Sequence, residues 1–387
     1  MSAPKSLSIL GTRGVPAQHG GFETFCERFA LHLAERGWRV TVYCQHDTDQ
    51  TVPVTEDEWC GVHRVNISVR QGGALGTMVF DAKATLHAAK LTQPALVLGY
   101  NTALLNLWLK VHGVPVMMNM DGIEWRRSKW SPLARAWLLL NELAGAWLSD
   151  KLIADHPLIA DHLGTRRRRS DIVMIPYGAD PVIEAPTKSV EAMGLVPDNY
   201  FLAIGRIEPE NSVLEIVRAF SRRSRGTKLV VLGKLIDDNI YHQTLRAAAG
   251  PDVVFPGAIY EKDKVRALRR HARAYCHGHT VGGTNPSLVE ALGAGNAIIA
   301  HGNGFNRWVA GPDQFYFRDE DDCDRAFDLF STDEAALAKA RTSASTRFHQ
   351  EFEWPTILDA YEQMVVRQTT KNGVDTVARS AEATSEV

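Results

Sequence analysis

Apolar and polar positions follow one repeating order along the chain. A short continuous apolar run leads into a loop, then an amphipathic stretch closed by glycine, then the next apolar run. Such runs stand at 7–10, 40–44, 96–98, 114–118, 152–154 and 172–175. Glycine closes the intervening stretches, as at Gly37 in "LAERGWRV" and Gly113 in "LKVHGVPV". A second series repeats the rhythm through "YFLAIG", "KLVVLG", "DVVFPG", "RAYCHG" and "NAIIAHG". Glycine after a helix followed by a β-rich run is a stop-and-restart signal. Strands apolar throughout, alternating with helices, predict parallel sheets covered on both faces.

The two series are separated by "IPYGADPVIEAPTKSVEAMGLVPDN", whose four prolines mark a connection. The expected organisation is therefore a doubly wound domain over 1–180 and a second over 181–353. A helix over 354–369 is expected to pack back toward the first domain, and a small, polar tail over 370–387 to be disordered. A chain of 387 residues is long enough for two such cores.

A net charge of −2 argues against bulk nucleic-acid binding. The five cysteines are scattered and form no C-x-x-C pair, so neither a disulfide framework nor a zinc site is implied. "CHGH" at 276–279 reads as a strand running into a loop rather than as a metal site. With neither a leader pattern nor an apolar window of membrane-spanning length, a reduced cytoplasmic protein is expected.

"ILGTRGVPAQHGGFETF" places four glycines between the first strand and a helix, where doubly wound sheets bind ligands and helix N–H groups favour phosphate. The spacing is not G-x-G-x-x-G, so by itself the loop reads equally as ligand contact or as a turn. In the second series "GRIEPEN" puts Arg206 at a strand end, where its fork suits a diphosphate. Further on, "HTVGGTNPSLVEA" offers a donor-rich loop, proline at a helix start and Glu290 about one turn inside. That carboxylate suits a ribose diol as well as an ordinary helix start.

In this order, "GTRGVPAQHGGFE", "NMDGIEW", "IPYGAD", "GRIEPEN" and "HTVGGTNPSLVEA" resemble the retaining glycosyltransferases of family 4. Within them the chain is most similar to bacterial polysaccharide rhamnosyltransferases of the β-1,4 type. The resemblance implies the GT-B fold: α/β, two Rossmann-like domains facing across a cleft. It implies that Gly14, Gly20 and Gly21 approach the donor diphosphate from the first domain. Arg206, Asn211, Gly283, Thr284, Asn285 and Glu290 would hold the donor from the second, with the base near Ile259. Glu23, Asn101 and Asp121 would lie on the acceptor side, and Asp121 and Arg206 would be the catalytic residues. The chain departs from the wider family in three places. Gly282 replaces the first glutamate of E-x7-E, Asn211 replaces a frequent lysine, and Asp121 stands where many members carry histidine.

What the resemblance implies chemically is transfer of L-rhamnose from dTDP-β-L-rhamnose, with retention, onto a lipid-linked or polysaccharide acceptor. No cofactor or metal is needed for it. The paired carboxylates of a glycosidase are not recognisable. Other readings keep the fold with a UDP- or GDP-hexose donor, or make the chain a non-hydrolysing sugar-nucleotide epimerase. "DEDDCD" at 319–324 reads as a solvated helix start. Tyr260 and Lys264 also read as a helix start, because the glycine loop of a dehydrogenase is missing. Finally, Leu133, Ala136, Trp137, Leu140, Leu143, Ala144 and Trp147 recur at helical spacing beside Arg126, Arg127 and Lys129. This stripe reads first as the core face of a helix with a basic rim. The basic clusters also suit peripheral contact with an anionic membrane.

Overall fold

The computed structural model describes residues 5–18, 20–48, 54–70, 73–120 and 122–385, with side chains through Thr370. Asp121 lies outside the described residues. The chain forms two compact units, Met1–Pro176 with Pro355–Val387, and Tyr177–Trp354.

The first unit is built on strands β1 (Ser6–Leu10), β2 (Arg39–Asp47), β3 (Thr55–Trp59), β4 (Val62–Val69), β5 (Ala95–Leu98), β6 (Val116–Asn119), β7 (Lys151–Ala154) and β8 (Ile172–Met174). Their order is β3-β4-β2-β1-β5-β6-β7-β8, and all pairs are parallel except β3 with β4. Leu7, Ile9, Leu96, Val116, Met117 and Leu152 are fully buried, as strands covered on both faces must be. The β3–β4 hairpin is an addition to the strands predicted from apolar runs. "TEDEW" is polar and exposed, and β4 alternates as Val62, Val65, Ile67 and Val69 point inward, so neither strand forms a continuous run.

The last helix, Trp354–Ser385, extends past the expected 354–369, and no proline after Pro355 interrupts it. Its first turns belong to the core of the first unit. Tyr361 packs on Phe25 and Phe29 at 4.4 and 5.5 Å, and its hydroxyl accepts from Asn119 Nδ2 at 2.8 Å. Trp38 Nε1 donates to Glu362 at 3.0 Å, and Arg36 binds Asp359 and Glu362.

The second unit has strands β9 (Tyr200–Ile204), β10 (Lys228–Leu232), β11 (Val253–Gly257), β12 (Ala274–His277), β13 (Ala297–His301) and β14 (Phe315–Phe317). They are ordered β11-β10-β9-β12-β13-β14 and are all parallel. Phe201, Phe220 and Phe327 pack edge to face under this sheet, with centroids 4.9–6.0 Å apart. The acidic run at 319–324 starts the helix Glu320–Thr332, capped by Asp319, which accepts from Asp322 N at 2.8 Å. Its carboxylates bind Arg222, Arg223 and Arg225, so the run is a structural ion-pair network.

The apolar stripe of the helix Pro132–Leu148 does not face the core. Leu133, Trp137, Leu140 and Trp147 are exposed, whereas Leu138, Asn141, Glu142, Gly145 and Ala146 are buried. The inner face is set by space and by polar partners. A Cβ on Gly145 would stand 2.8 Å from the Met118 sulfur, and Asn141 and Glu142 serve neighbouring segments.

In both sheets the chain reverses direction beside its first strand, between β1 and β5 and between β9 and β12. Gly11 leaves β1 there with φ +81°, and a Cβ on it would lie 2.2 Å from the Leu98 carbonyl oxygen. Gly11→Ala is expected to lower the stability of the first unit by at least about 2 kcal/mol, the cost of the left-handed conformation plus displacement of β5. Urea denaturation of the variant against wild type measures it.

Candidate functional site

The glycine loop of the first unit divides into parts with different duties. Gly11 is required by Leu98. Gly14 is pressed against Cys44, whose Sγ would lie 2.6 Å from an added Cβ. Gly20 has extended backbone and open space around it, and Gly21 begins the helix Gly21–Glu35. Two carboxylates of that helix hold the loop: Glu27 accepts from Ala17 N at 2.6 Å and Glu23 from Gln18 N at 3.1 Å. The Arg13 carbonyl accepts from Gln45 N at 3.0 Å, and Arg64 donates to Val15 O at 3.2 Å.

These anchors wall a polar cavity of about 380 Å³ within the first unit, between the loop, the carboxyl end of β2 and the middle of β4. Glu23, expected on the acceptor side, and Gly14, expected on the donor side, both line it. Arg13, Gln45, His46, Asp47, Arg64 and Asn66 are also part of the lining. Arg13 lies in the glycine-loop motif, but no motif marks the residues from β2 and β4. They meet because β4 inserts beside β2, and the polar positions "QHD" at the end of β2 were their one sequence signal. Arg64 is bridged to Asp57 through Nε and Nη2 at 2.6 and 2.9 Å, and this pairing holds the Asp57 carboxyl below its ordinary range. His46 pairs with Asn66 at 3.0 Å, and Gln45 donates to Asp47 at 2.7 Å.

Asn101 lies on the turn after β5 and is exposed; its carbonyl accepts from Trp137 Nε1 at 3.1 Å. Behind it Thr102 donates to Asp81 at 2.8 Å, and burial pushes the Asp81 carboxyl up to about 6. Tyr100 accepts from Glu124 N at 2.7 Å and so orders the segment that follows residue 121.

In the second unit, Arg206 follows β9. Its side chain is 64% exposed, and its guanidinium approaches Glu208 at 3.6 Å. Asn211 is buried, and its Nδ2 donates to the Arg206 carbonyl at 2.8 Å, so it supports the loop that presents the arginine. Across the reversal point, a Cβ on Gly278 would stand 2.2 Å from the Asn211 carbonyl oxygen. Thr280 ties the two loops again, donating from N and Oγ1 to Glu210 O at 2.9 Å each.

The stretch 282–285 continues this loop into the helix Pro286–Gly293. Gly283 lies on its partly exposed turn, Thr284 is buried, and Asn285 caps the helix, accepting from Ser287 N at 3.0 Å. Glu290 pairs with Arg269 at 2.5 Å, and Arg269 is buried and also donates to Ser287 at 3.2 Å. Ile259, on the loop after β11, packs against the core beneath. No motif points to Arg269 or Asn306; the Asn303 and Asn306 amides hold the His279 carbonyl at 2.8 Å each. Asn303 is the cap of the helix Gly304–Ala310, and an asparagine directly before a helix is a signal for that role.

His277 is buried at the end of β12, stacked on His279 with centroids 4.3 Å apart, and burial holds its pKa well below the ordinary value. It is a neutral core histidine. Among the described residues, His32, Asp359 and Glu362 form the one trio with metal-ligand spacing, and Arg36 already binds both carboxylates. Also among them, no helix is long and apolar enough to cross a membrane.

Residues 4–180 match a family model described as a domain of unknown function, DUF1972. Residues 191–347 match the model described as glycosyl transferases group 1, so the second unit carries a domain of that group. Comparison with curated proteins gives no match. Among solved structures, sucrose-phosphate synthase from Thermosynechococcus elongatus is similar, with TM-score 0.79 at 16% identity over 95% of this chain and 100% of that one. The Anabaena protein HepE in complex with UDP gives 0.72 at 14% identity over 94% and 100%. The α,α-trehalose 6-phosphate synthase from Burkholderia multivorans gives 0.74 at 11% identity over 95% and 99%. The fold is GT-B, as expected from the resemblance.

Asp81 supplies a pH test of this description. A carboxyl raised by burial keeps its proton longer folded than unfolded. The stability it contributes is therefore fully present below about pH 4 and is lost as pH rises toward 6. Asp81→Asn is expected to remove this loss and to stabilise the protein at pH 7 by up to about 3 kcal/mol. Denaturation midpoints of both proteins between pH 4 and 8 check it.

Proposed function

We propose that the protein is a glycosyltransferase that moves a sugar from a nucleoside diphosphate onto a lipid-linked or growing polysaccharide acceptor. It works in the cytoplasm, at the inner face of the membrane, without metal. The finer reading is transfer of L-rhamnose from dTDP-β-L-rhamnose with retention. The observation that carries the proposal is the exposed Arg206 guanidinium, presented at the reversal point of a glycosyl transferases group 1 domain.

Transfer forms a bond between an acceptor oxygen and the anomeric carbon and breaks the bond from that carbon to phosphate oxygen. The leaving diphosphate keeps the electron pair and, with attack on the same face, takes the acceptor proton. The protein's part is positioning and neutralisation of the leaving charge. Arg206 supplies a fixed positive charge that bridges two phosphate oxygens, and the N–H groups of Gly283 and Thr284 add dipoles. Glu290, steadied by Arg269 through Oε2, has Oε1 to accept from the ribose hydroxyls.

The 380 Å³ cavity of the first unit suits the acceptor sugar. Its lining sets two cations, Arg13 and Arg64, against two carboxylates, Glu23 and Asp47. Gln45 and Asn66 add amides that both donate and accept, the chemistry that neutral hydroxyls require. Asp121, two residues after β6 in the sequence and outside the described residues, is the proposed orienting carboxylate. A second reading, the same reaction with a UDP-hexose, is favoured by the similarity to HepE, whose structure holds UDP and glucose.

The donor is tested by thermal shift with dTDP, UDP, GDP and their sugars in the presence of EDTA. Selective stabilisation by dTDP-rhamnose supports the finer reading, and selective stabilisation by UDP replaces it with the second. Arg206→Ala is expected to lower kcat/KM by about a hundredfold or more. Its melting temperature should be unchanged, because an exposed side chain contributes within about 0.5 kcal/mol. Unchanged kinetics in that variant would remove Arg206 from the reaction.

A further inference from the structure

At the exits of β9 and β12 the leaving charge exceeds what one arginine offers. The stretches 205–212 and 278–285 contain a single Arg or Lys, Arg206, together with Glu208 and Glu210. Glu208 stands 3.6 Å from the Arg206 guanidinium and offsets part of its charge. Asn211 stands where the resemblance places a frequent lysine, but its amide is turned to the Arg206 carbonyl and brings no charge. A leaving diphosphate carries more than one negative charge, so a guanidinium shared with a carboxylate does not neutralise it. The other side chain on these two stretches that can carry a positive charge is His279.

His279 is fastened to the Arg206 loop on both sides. Before it, a Cβ on Gly278 would lie 2.2 Å from the Asn211 carbonyl oxygen, so backbone meets backbone there. After it, Thr280 donates from N and Oγ1 to the Glu210 carbonyl. The carbonyl of His279 itself is held by the amides of Asn303 and Asn306. Its ring brings Cε1 and Nε2 to 3.3 and 3.8 Å from the point where a Cβ on Gly205 would stand. Asn211 Nδ2 lies 4.0 Å from the same point. The imidazole edge and the amide that supports Arg206 therefore meet beside the residue that precedes the arginine. A side chain at 205 would press on the ring.

The ring also has a floor. His277 lies parallel to it, with centroids 4.3 Å apart and planes 8° from one another. His277 is 1% exposed, and among the described residues neither of its ring nitrogens has a hydrogen-bond partner. A buried imidazole without hydrogen bonds is costly, so its nitrogens are not what it contributes. Its flat face is. Burial first, and the charge of a protonated His279 second, keep His277 neutral, and a neutral ring opposes no proton on the one above it.

We propose that His279 is a second side-chain donor to the leaving diphosphate, giving its ring N–H beside the Arg206 guanidinium. The proposal rests on the transferase reading and adds a residue to its donor site. His277 is the positioning residue, acting through the stack.

The affinities of the full chain for dTDP and UDP, each beside its monophosphate, are measured by calorimetry. His279→Phe keeps a flat ring for the stack and removes the N–H. It is expected to lower the preference for diphosphate over monophosphate by at least about tenfold, the loss of one hydrogen bond to a charged group. Monophosphate affinity should stay as in wild type, and melting curves establish that the variant is folded. A fault of structure alone would weaken both nucleotides alike, and that result overturns the proposal, as does a preference kept at the wild-type level. In wild type carrying isotope-labelled histidine, the ring-nitrogen signals that His279→Gln removes are expected to move when the diphosphate is added. Signals that stay in place overturn the proposal, even where His279→Phe does not fold. A wild type that binds neither diphosphate overturns the transferase reading as well. A preference lost in Arg206→Ala but kept in His279→Phe overturns the His279 assignment alone.

Discussion

The loops that leave parallel strands at a reversal point must pass within contact distance of a neighbouring backbone. At Gly11 the neighbour is the Leu98 carbonyl, and at Gly278 it is the Asn211 carbonyl. Neither place has room for a Cβ, so the two loops are fixed by backbone packing rather than by side-chain choice. All that follows depends on this. The 13–18 loop can close one wall of a cavity because Gly11 sets its departure. The Arg206 loop has a fixed place because Gly278 lets it lie on the exit of β12.

Behind each loop stands a layer of buried and half-buried polar groups whose task is placement. Asn211 holds the Arg206 carbonyl, Asn303 and Asn306 hold the His279 carbonyl, and Arg269 holds Glu290. In the first unit Glu23, Glu27 and Arg64 do the same for the glycine loop. Such groups are costly to bury unless paired, and the pairing is what makes the loops rigid. Rigid loops are what a reaction driven by positioning and charge neutralisation requires.

The apolar runs made the parallel sheets legible, because a strand covered on both faces reads as uninterrupted hydrophobicity. The places of Arg206 after β9 and of Glu290 inside the helix Pro286–Gly293 were legible because local motifs carry them. The hairpin β3–β4 was not, since an edge strand such as "TEDEW" has no buried face to declare it. The cavity wall of Gln45, Asp47, Arg64 and Asn66 was not, since it exists only once β4 pairs with β2. The helix Pro132–Leu148 gave the opposite impression to its true orientation. Periodicity shows that a helix has an apolar face, but Gly145 against Met118, and the partners of Asn141 and Glu142, decide which face turns inward.

The placement of Tyr361 has a consequence for the order in which the molecule assembles. Phe25 and Phe29 lie near the start of the chain, yet the ring that covers them arrives more than three hundred residues later. During synthesis the Tyr177–Trp354 unit is complete before the unit that precedes it, whose aromatic flank stays uncovered until the ribosome has made residue 361. The flank that Phe25 and Phe29 form is therefore sealed only after the whole Tyr177–Trp354 unit has been synthesised.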